Sequence, residues 1–143
     1  MEKESVLFFK ENVTFRLMNR DKLQHWIHNA IKQEGYKLRC INFIFCSDPY
    51  LRKLNKIYLM HDYFTDIVTF DNSTEKKIIE GDVFISIDRV KINATLYNVS
   101  FNEELQRVMI HGVLHLTGYS DKNSKEKINM KKRENFWLLK RGF

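Results

Sequence analysis

The 143-residue sequence has few of the residues that build linkers and disulfide scaffolds, and it has no apolar run long enough to span a membrane. One proline and five glycines leave little room for a long flexible linker, so compact structure is expected almost throughout. No apolar run approaches the ~20 residues that a membrane-spanning helix requires, and residues 1–4 have no hydrophobic signal core. These absences favour a cytoplasmic protein that contacts no membrane.

The two cysteines are predicted to stay reduced. Cys40 and Cys46 lie six residues apart on one apolar segment, and in a strand they would share a face at a separation of about 20 Å. A disulfide requires Cα atoms within about 7 Å of each other. We expect both thiols in the core, which agrees with a reducing compartment.

The positive charge is concentrated near the end of the sequence. Residues 122–143 contain eight lysines and arginines and two glutamates, which accounts for the whole net charge of +6. Such a segment favours a polyanionic partner, RNA above all, with Lys131, Lys132 and Arg133 as candidate contacts on the exposed side of a helix. The alternative, a solvated helix face that only increases solubility, stays open.

The pattern of apolar residues predicts one mixed domain. The hydrophobic content of 43% suffices for a single core, so residues 1–143 are interpreted as one domain. Periodicity predicts strands at about 6–9, 38–46, 65–70 and 78–87, the last two forming a hairpin. It predicts helices at about 20–34, 49–59, 88–97, 101–117 and 124–140. The expected class is α+β (mixed α/β), with a sheet of about four strands covered by helices and helix 101–117 near the middle.

Polar residues indicate where several helices begin. Asp48, followed by Pro49, and Asp88 are interpreted as N-caps. Ser100 and Glu103 match a reciprocal capping box. Burial on the apolar helix faces is expected to include Tyr58, Ile128 and part of Leu139.

A metal-ligand pattern lies at the end of helix 101–117. Residues 111–121 read H-x-x-x-H-x-x-G-x-x-D. His111 and His115 lie one turn apart on the same helix face and can reach one ion. Gly118 ends the helix because glycine adopts a positive φ at little cost, and the turn can return Asp121 to that ion. Two imidazoles, one carboxylate and a position left for water form the donor set of a catalytic zinc site.

The alternative to a metal site stays open at this point. Both histidines could line the core and donate to carbonyl groups, and Asp121 could simply cap the next helix.

The residue after the first histidine argues against one type of hydrolysis. The spacing is that of the metzincin proteases, but Gly112 stands where their general-base glutamate would lie, so peptide hydrolysis of that kind is disfavoured. Imidazole ligands suit Zn²⁺, which would lower the pKa of a bound water towards about 7. With the basic segment nearby, this favours cleavage of a phosphodiester in RNA. No general base is assigned, because the helix side that Glu104 occupies is not settled by spacing.

Motifs along about residues 38–121 occur in an order shared with one known family. An Asn-x-x-Tyr helix segment at 55–58 precedes the strand TDIVTF at 65–70, then GDVFI at 81–85, then HGVLHLTGY at 111–119. In this order and spacing the chain resembles the YbeY family. These are single-domain bacterial metal-dependent endoribonucleases that mature ribosomal RNA.

The resemblance implies a function and a set of site residues. It implies a single-strand-specific endoribonuclease that processes small-subunit ribosomal RNA near its 3′ end and takes part in ribosome quality control. Its partners would be ribosomal RNA and the small ribosomal subunit, not DNA. It also implies one Zn²⁺ per chain, held by His111, His115 and Asp121. The matched motifs make three residues candidates for the cleft: Asn55, Asp66 and Asp82.

Two positions depart from the family pattern. Asp121 stands where the third ligand is usually histidine, and an anionic oxygen would lower the Lewis acidity of the metal and favour harder ions. Leu59 stands where the family commonly has an arginine associated with the RNA site. Lys53, Lys56 and His61 are candidates to replace that arginine.

Two other functions are weighed against the nuclease. A non-catalytic ribosome-assembly factor would use the metal only for folding. A metalloprotease is the more distant alternative because of Gly112.

Overall fold

The computed structural model describes residues 4–143, and residues 1–3, part of the segment searched for a signal core, lie outside the described residues. The elements in chain order are β1 (Ser5–Glu11), α1 (Arg20–Gln33), β2 (Lys37–Cys46), α2 (Asp48–Leu59), β3 (Ile67–Asp71), β4 (Ile78–Ser86), α3 (Ile87–Tyr97), α4 (Phe101–Leu116) and α5 (Ser124–Leu139). Each predicted helix and strand is therefore present, with bounds that differ by a few residues. Among residues 4–143, every helix is too short or too polar to cross a bilayer.

The strands form one mixed sheet in the order β1-β2-β4-β3. β1 pairs with β2, and β2 with β4, in parallel, whereas β3 runs antiparallel to β4. Parallel neighbours require a crossover connection, which α1 provides between the first two strands. The predicted mixed α/β class and the β3–β4 hairpin are confirmed.

The main core lies between one face of the sheet and helices α1 and α4. Alternate residues of β2, including Ile41, Phe43 and Phe45, point into this layer and are fully buried. Burying each such side chain contributes about 1.5–3 kcal/mol relative to leaving it exposed. A smaller cluster around Cys46 and Leu51 lies under α2 on the other face. Helix α4 contacts β3, β4, α1, α3 and α5, so the predicted central position of this helix is confirmed.

Gly112 lets α4 approach the sheet closely. A Cβ atom at this position would lie 2.8 Å from Val83 Cγ1 and 3.0 Å from Ile67 Cδ1, closer than packed carbon atoms allow. Glycine at position 112 therefore has a steric reason, in addition to its effect of removing the general-base glutamate of the metzincin pattern. The same close packing sets how near α4 lies to β3 and β4.

Two predicted helix caps are corrected. Ser47 caps α2 by accepting from the Tyr50 backbone N–H, and Ser86 caps α3 in the same way. Asp48 and Asp88 instead lie inside the first turns, where the Asp88 carboxylate accepts from the Asp48 backbone N–H at 2.7 Å. Periodicity places helix ends only to within a residue or two, and here the serine just before each aspartate takes the capping role.

The capping box of α4 is half formed. The Ser100 hydroxyl accepts from the Glu103 backbone N–H, as predicted. The Glu103 carboxylate accepts instead from Arg141 Nη2 at 3.0 Å. A complete reciprocal box starts α5, between Asn123 and Glu126.

The apolar residues expected to be buried near two helix ends are exposed. The exposed fractions are 65% for Tyr58, 57% for Ile128 and 86% for Leu139, so these expectations are wrong. Helix α5 buries Met130, Glu134, Trp137 and Leu138. A helix face repeats every three to four residues. When residues 130, 134 and 137 face the core, Ile128 and Leu139 therefore face away from it.

The cysteines are both free. Cys46 is buried, and Cys40, on the same face of β2, is half-buried. No disulfide joins them, and the full burial expected of both holds for Cys46 only.

Candidate metal centre

The end of α4 and the turn after it bring two imidazoles and a carboxylate together. His111 and His115 lie one helical turn apart, and their ring centroids are separated by 4.5 Å. The chain reverses at Gly118, whose φ of +97° is readily adopted only by glycine. The turn returns Asp121, so that its Oδ2 lies 3.4 Å from the Nε2 atom of each histidine.

The other ring nitrogen of each histidine is already bonded. His111 Nδ1 lies 2.6 Å from Glu134 Oε2, and His115 Nδ1 lies 3.1 Å from the Tyr119 carbonyl oxygen. A carbonyl or carboxylate oxygen accepts, so both Nδ1 atoms act as donors. This leaves the Nε2 lone pairs of both rings directed at the same space next to Asp121.

These three residues could hold a metal ion. Ligand atoms of His111, His115 and Asp121 all lie within 4.8 Å of one another. The side chains are half-buried, so a fourth position stays open to solvent or substrate. Two nitrogen donors and one carboxylate oxygen suit Zn²⁺, and three protein ligands with an open position are typical of catalytic sites.

The two imidazoles have pKa values shifted in opposite directions. Burial lowers the pKa of His111, but the hydrogen bond and the charge of Glu134 outweigh burial and the net shift is upward. Burial, and then the neighbouring His111, lower the pKa of His115. A ligating imidazole must present a lone pair, so metal binding competes with protons mainly at His111.

A groove of about 880 Å³ runs beside His111 and Asp121. Its other charged lining residues are Asp66, Glu103, Glu104 and Glu134, with Arg107, Lys127 and Lys131 as the basic ones. This volume falls within the range of ligand-binding pockets. The candidate metal site therefore opens into a space that a substrate can enter.

Two carboxyl groups of the groove hold their protons more tightly than usual. Burial raises the pKa of Glu104 to about 7, with the charge of Asp66 adding to the rise and that of Arg107 opposing it. Burial also raises the pKa of Asp66, while His111 opposes that rise. A carboxyl group with a pKa near 7 can accept and donate protons at neutral pH.

The family model described as Endoribonuclease YbeY matches residues 9–142. The chain belongs to the YbeY family. It is 50% identical to a protein of Cytophaga hutchinsonii named Endoribonuclease YbeY, with all of both chains covered. It is 48% identical to a protein of the same name from Amoebophilus asiaticus, with 97% of this chain and 95% of that protein covered.

A solved structure shares the fold of this chain. The solution structure of a protein from Thermotoga maritima is 28% identical, with a TM-score of 0.63, and the match covers 94% of this chain and 89% of that one. The family model and the two relatives confirm the YbeY resemblance seen in the motifs.

Of the three candidate cleft residues of the YbeY motifs, one lines the groove and two do not. Asp66 lines the groove beside the candidate ligands. Asn55 is buried at the end of α2, where its backbone oxygen accepts from the His61 N–H. Asp82 accepts from the side-chain amides of Asn42 and Asn72, at 2.9 and 3.1 Å. Neither Asn55 nor Asp82 lines the groove, and both have structural partners.

The three basic candidates of α5 differ in exposure and in their ion-pair partners. Lys131 lines the groove and Lys132 is exposed. Arg133, expected to be exposed, is half-buried: its Nε donates to Glu34 Oε2 at 2.7 Å and its guanidinium lies over the Phe136 ring. Of these three residues, Lys131 and Lys132 can offer their charge to a polyanion, whereas the charge of Arg133 is paired with Glu34.

At the YbeY arginine position, Leu59 ends α2 with 40% of its surface exposed. Lys56 lies 3.9 Å from Asp62, and the His61 ring stacks on Tyr63. None of the proposed substitutes for the family arginine lines the groove.

Sequence reasoning missed Glu134 and Arg107. Arg107 Nη1 donates to Glu134 Oε1 at 2.9 Å, while the second carboxylate oxygen contacts His111. One signal was available: Glu134 lies four residues after Met130 on the stripe of α5 that packs inward. A glutamate on a buried stripe requires a partner, and spacing alone does not name that partner.

Proposed function

We propose that this chain is a zinc-dependent endoribonuclease of the cytoplasm that cleaves single-stranded regions of ribosomal RNA precursors. By the family resemblance, the site of action is near the 3′ end of the small-subunit RNA, with a role in ribosome quality control. The observation that supports the proposal is the convergence of His111, His115 and Asp121 beside an open groove, in a chain of an endoribonuclease family. Ribosomal RNA and the small subunit are the proposed partners, and neither DNA nor a membrane is among them.

The donor set supports zinc, one ion per chain. A bound Zn²⁺ would supply a Lewis acid for the phosphoryl oxygen and lower the pKa of water at the site. Asp121 contributes a negative charge where a third imidazole would be neutral. This weakens the Lewis acidity of the ion and makes Mn²⁺ or Mg²⁺ stronger competitors than at a three-histidine site.

The side chains of the groove supply binding and proton transfer. Lys131 and Lys127 line its α5 side and offer charges to RNA phosphates. Glu104 lies in the same groove and has a pKa of about 7, so we assign it the transfer of a proton to the leaving oxygen. Analysis of the cleaved ends identifies the nucleophile, because a 2′,3′-cyclic phosphate requires attack by the RNA 2′-hydroxyl.

The test is cleavage of a ribosomal RNA precursor by purified protein. Cleavage should disappear on addition of a chelator and in His115→Ala, which removes one candidate ligand. His25→Ala is the matched control, because His25 is an exposed histidine of α1, and this variant should cleave like the wild type.

Two results would contradict the proposal. Cleavage that persists equally in His115→Ala would come from another nuclease. Folded, metal-loaded protein that cleaves neither free precursor nor precursor assembled into ribosomal particles would favour the assembly-factor hypothesis.

A further inference from the structure

We propose that Glu134 is a positioning residue of the metal centre, whose carboxylate holds the His111 ring with Nε2 directed at the ion. The inference rests on the proposed metal site and adds a residue from another helix to it. Glu134 Oε2 lies 2.6 Å from His111 Nδ1, a short contact typical of a charge-assisted hydrogen bond. The bond fixes which ring nitrogen carries the proton and thereby which one faces the metal.

The carboxylate is itself held in place. Glu134 is buried, and its second oxygen accepts from Arg107 Nη1 at 2.9 Å. Arg107 also donates from Nη2 to Asn135 Oδ1 at 2.7 Å. A buried carboxylate with two fixed donors has little freedom to rotate, so it can act as a rigid support for the imidazole.

The Nδ1 atoms of the two candidate imidazole ligands donate to different kinds of acceptor. His115 donates to the Tyr119 carbonyl, a neutral acceptor in the turn that follows α4. His111 instead donates to a charged acceptor 23 residues further along the chain, on α5. A carboxylate acceptor makes the opposite ring nitrogen a stronger electron donor. Helix α5 therefore contributes to metal affinity without supplying a ligand atom.

This arrangement predicts a graded effect of substitutions at position 134. Glu134→Ala removes the acceptor, and zinc affinity should fall about 10- to 100-fold. Glu134→Gln keeps an oxygen that can accept from Nδ1 but removes the charge, so its loss should be smaller. Glu103→Gln is the matched control: it also removes an arginine-paired carboxylate, but that carboxylate pairs with Arg141 and does not contact either histidine.

The experiment measures zinc affinity by competition with a chromophoric chelator, for the wild type and the three variants. Unfolding of each metal-free protein is followed in parallel, so that affinities are compared only between folded proteins. In the zinc-loaded wild type, NMR should show the Nδ1 proton of His111 as a downfield signal that is lost in Glu134→Ala. A structural role alone would lower the stability of the metal-free protein and leave zinc affinity and this signal unchanged.

The outcomes separate this inference from the proposed function. Wild-type protein that binds zinc, with Glu134→Ala and Glu134→Gln binding equally tightly, would overturn the positioning role and leave the metal site intact. Wild-type protein that binds no zinc would overturn both. The expected ranking of affinities is wild type and Glu103→Gln highest, then Glu134→Gln, then Glu134→Ala.

Discussion

Replacing Glu104 with glutamine should stabilise the metal-free protein at pH 8 while changing its stability little near pH 4.5. Glu104 lies on α4 with 4% of its surface exposed, and it makes no side-chain hydrogen bond to another residue among 4–143. Glutamine has the same shape and no charge. The substitution therefore removes the cost of a buried negative charge and leaves no bonded partner behind.

The magnitude follows from the pKa. Burial raises the pKa of Glu104 from 4.5 to about 7, and each pKa unit corresponds to about 1.4 kcal/mol. Below pH 4.5 the group is protonated in both the folded and the unfolded chain. Between pH 4.5 and 7 the unfolded chain releases the proton first, so the free energy of unfolding falls as the pH rises. Above pH 7 the accumulated loss is about 3.5 kcal/mol, and glutamine avoids it.

Urea denaturation of chelator-treated protein at pH 4.5, 6, 7 and 8 measures this effect. The difference in unfolding free energy between variant and wild type should grow across this range and level off above pH 7. The measurement near pH 4.5 is the internal control, because both folded proteins are then neutral at position 104. A difference that is constant with pH, or a variant less stable at pH 8, would refute the assignment of a raised pKa to this carboxyl group.

Three other predictions concern the basic helix and the packing of α4. Replacing both Lys131 and Lys132 with glutamine should weaken RNA binding and reduce the slope of log affinity against log salt by about 1 to 2, without loss of folding stability. An unchanged slope would mean that these lysines do not contact RNA phosphates and only form a solvated helix face. Arg133→Gln should instead lower the free energy of unfolding by about 1–3 kcal/mol, because Glu34 loses its charged partner. A thermal unfolding midpoint equal to that of the wild type would contradict a stabilising role of this ion pair. Gly112→Ala should destabilise the protein by about 1–3 kcal/mol, since its new methyl group would lie 2.8 Å from a valine methyl of β4; a wild-type midpoint in urea would contradict that close packing.

The metal triad could be predicted because its geometry is local. His111 and His115 are brought together by the pitch of one helix, and Gly118 turns the chain so that Asp121 returns within three residues. The alternation of apolar residues in β2 and the short connection between β3 and β4 are local features of the same kind. For such features the backbone geometry leaves few alternatives.

The environment of single side chains could not be predicted in this way. The family motif makes Asp82 a candidate for the cleft, but its carboxylate instead accepts from two asparagine side chains, one on β2 and one on the β3–β4 hairpin loop. Helix periodicity predicts Arg133 at the surface, but Glu34, far away in the sequence, forms an ion pair with it. In both cases the partner is set by how distant elements pack, which periodicity does not describe.

The sequence by itself determined the order of helices and strands, the family and the three residues that could hold a metal, since each can be recognised from the types of residue and their spacing along the chain. The tertiary structure alone decided what surrounds them. The docking of α5 against α4 brings Glu134 to His111 and Arg107, and burial in the resulting groove raises the pKa of Glu104. The ligand positions are a property of one helix and its turn, whereas the direction and protonation of the side chains around them depend on contacts between residues far apart in the chain.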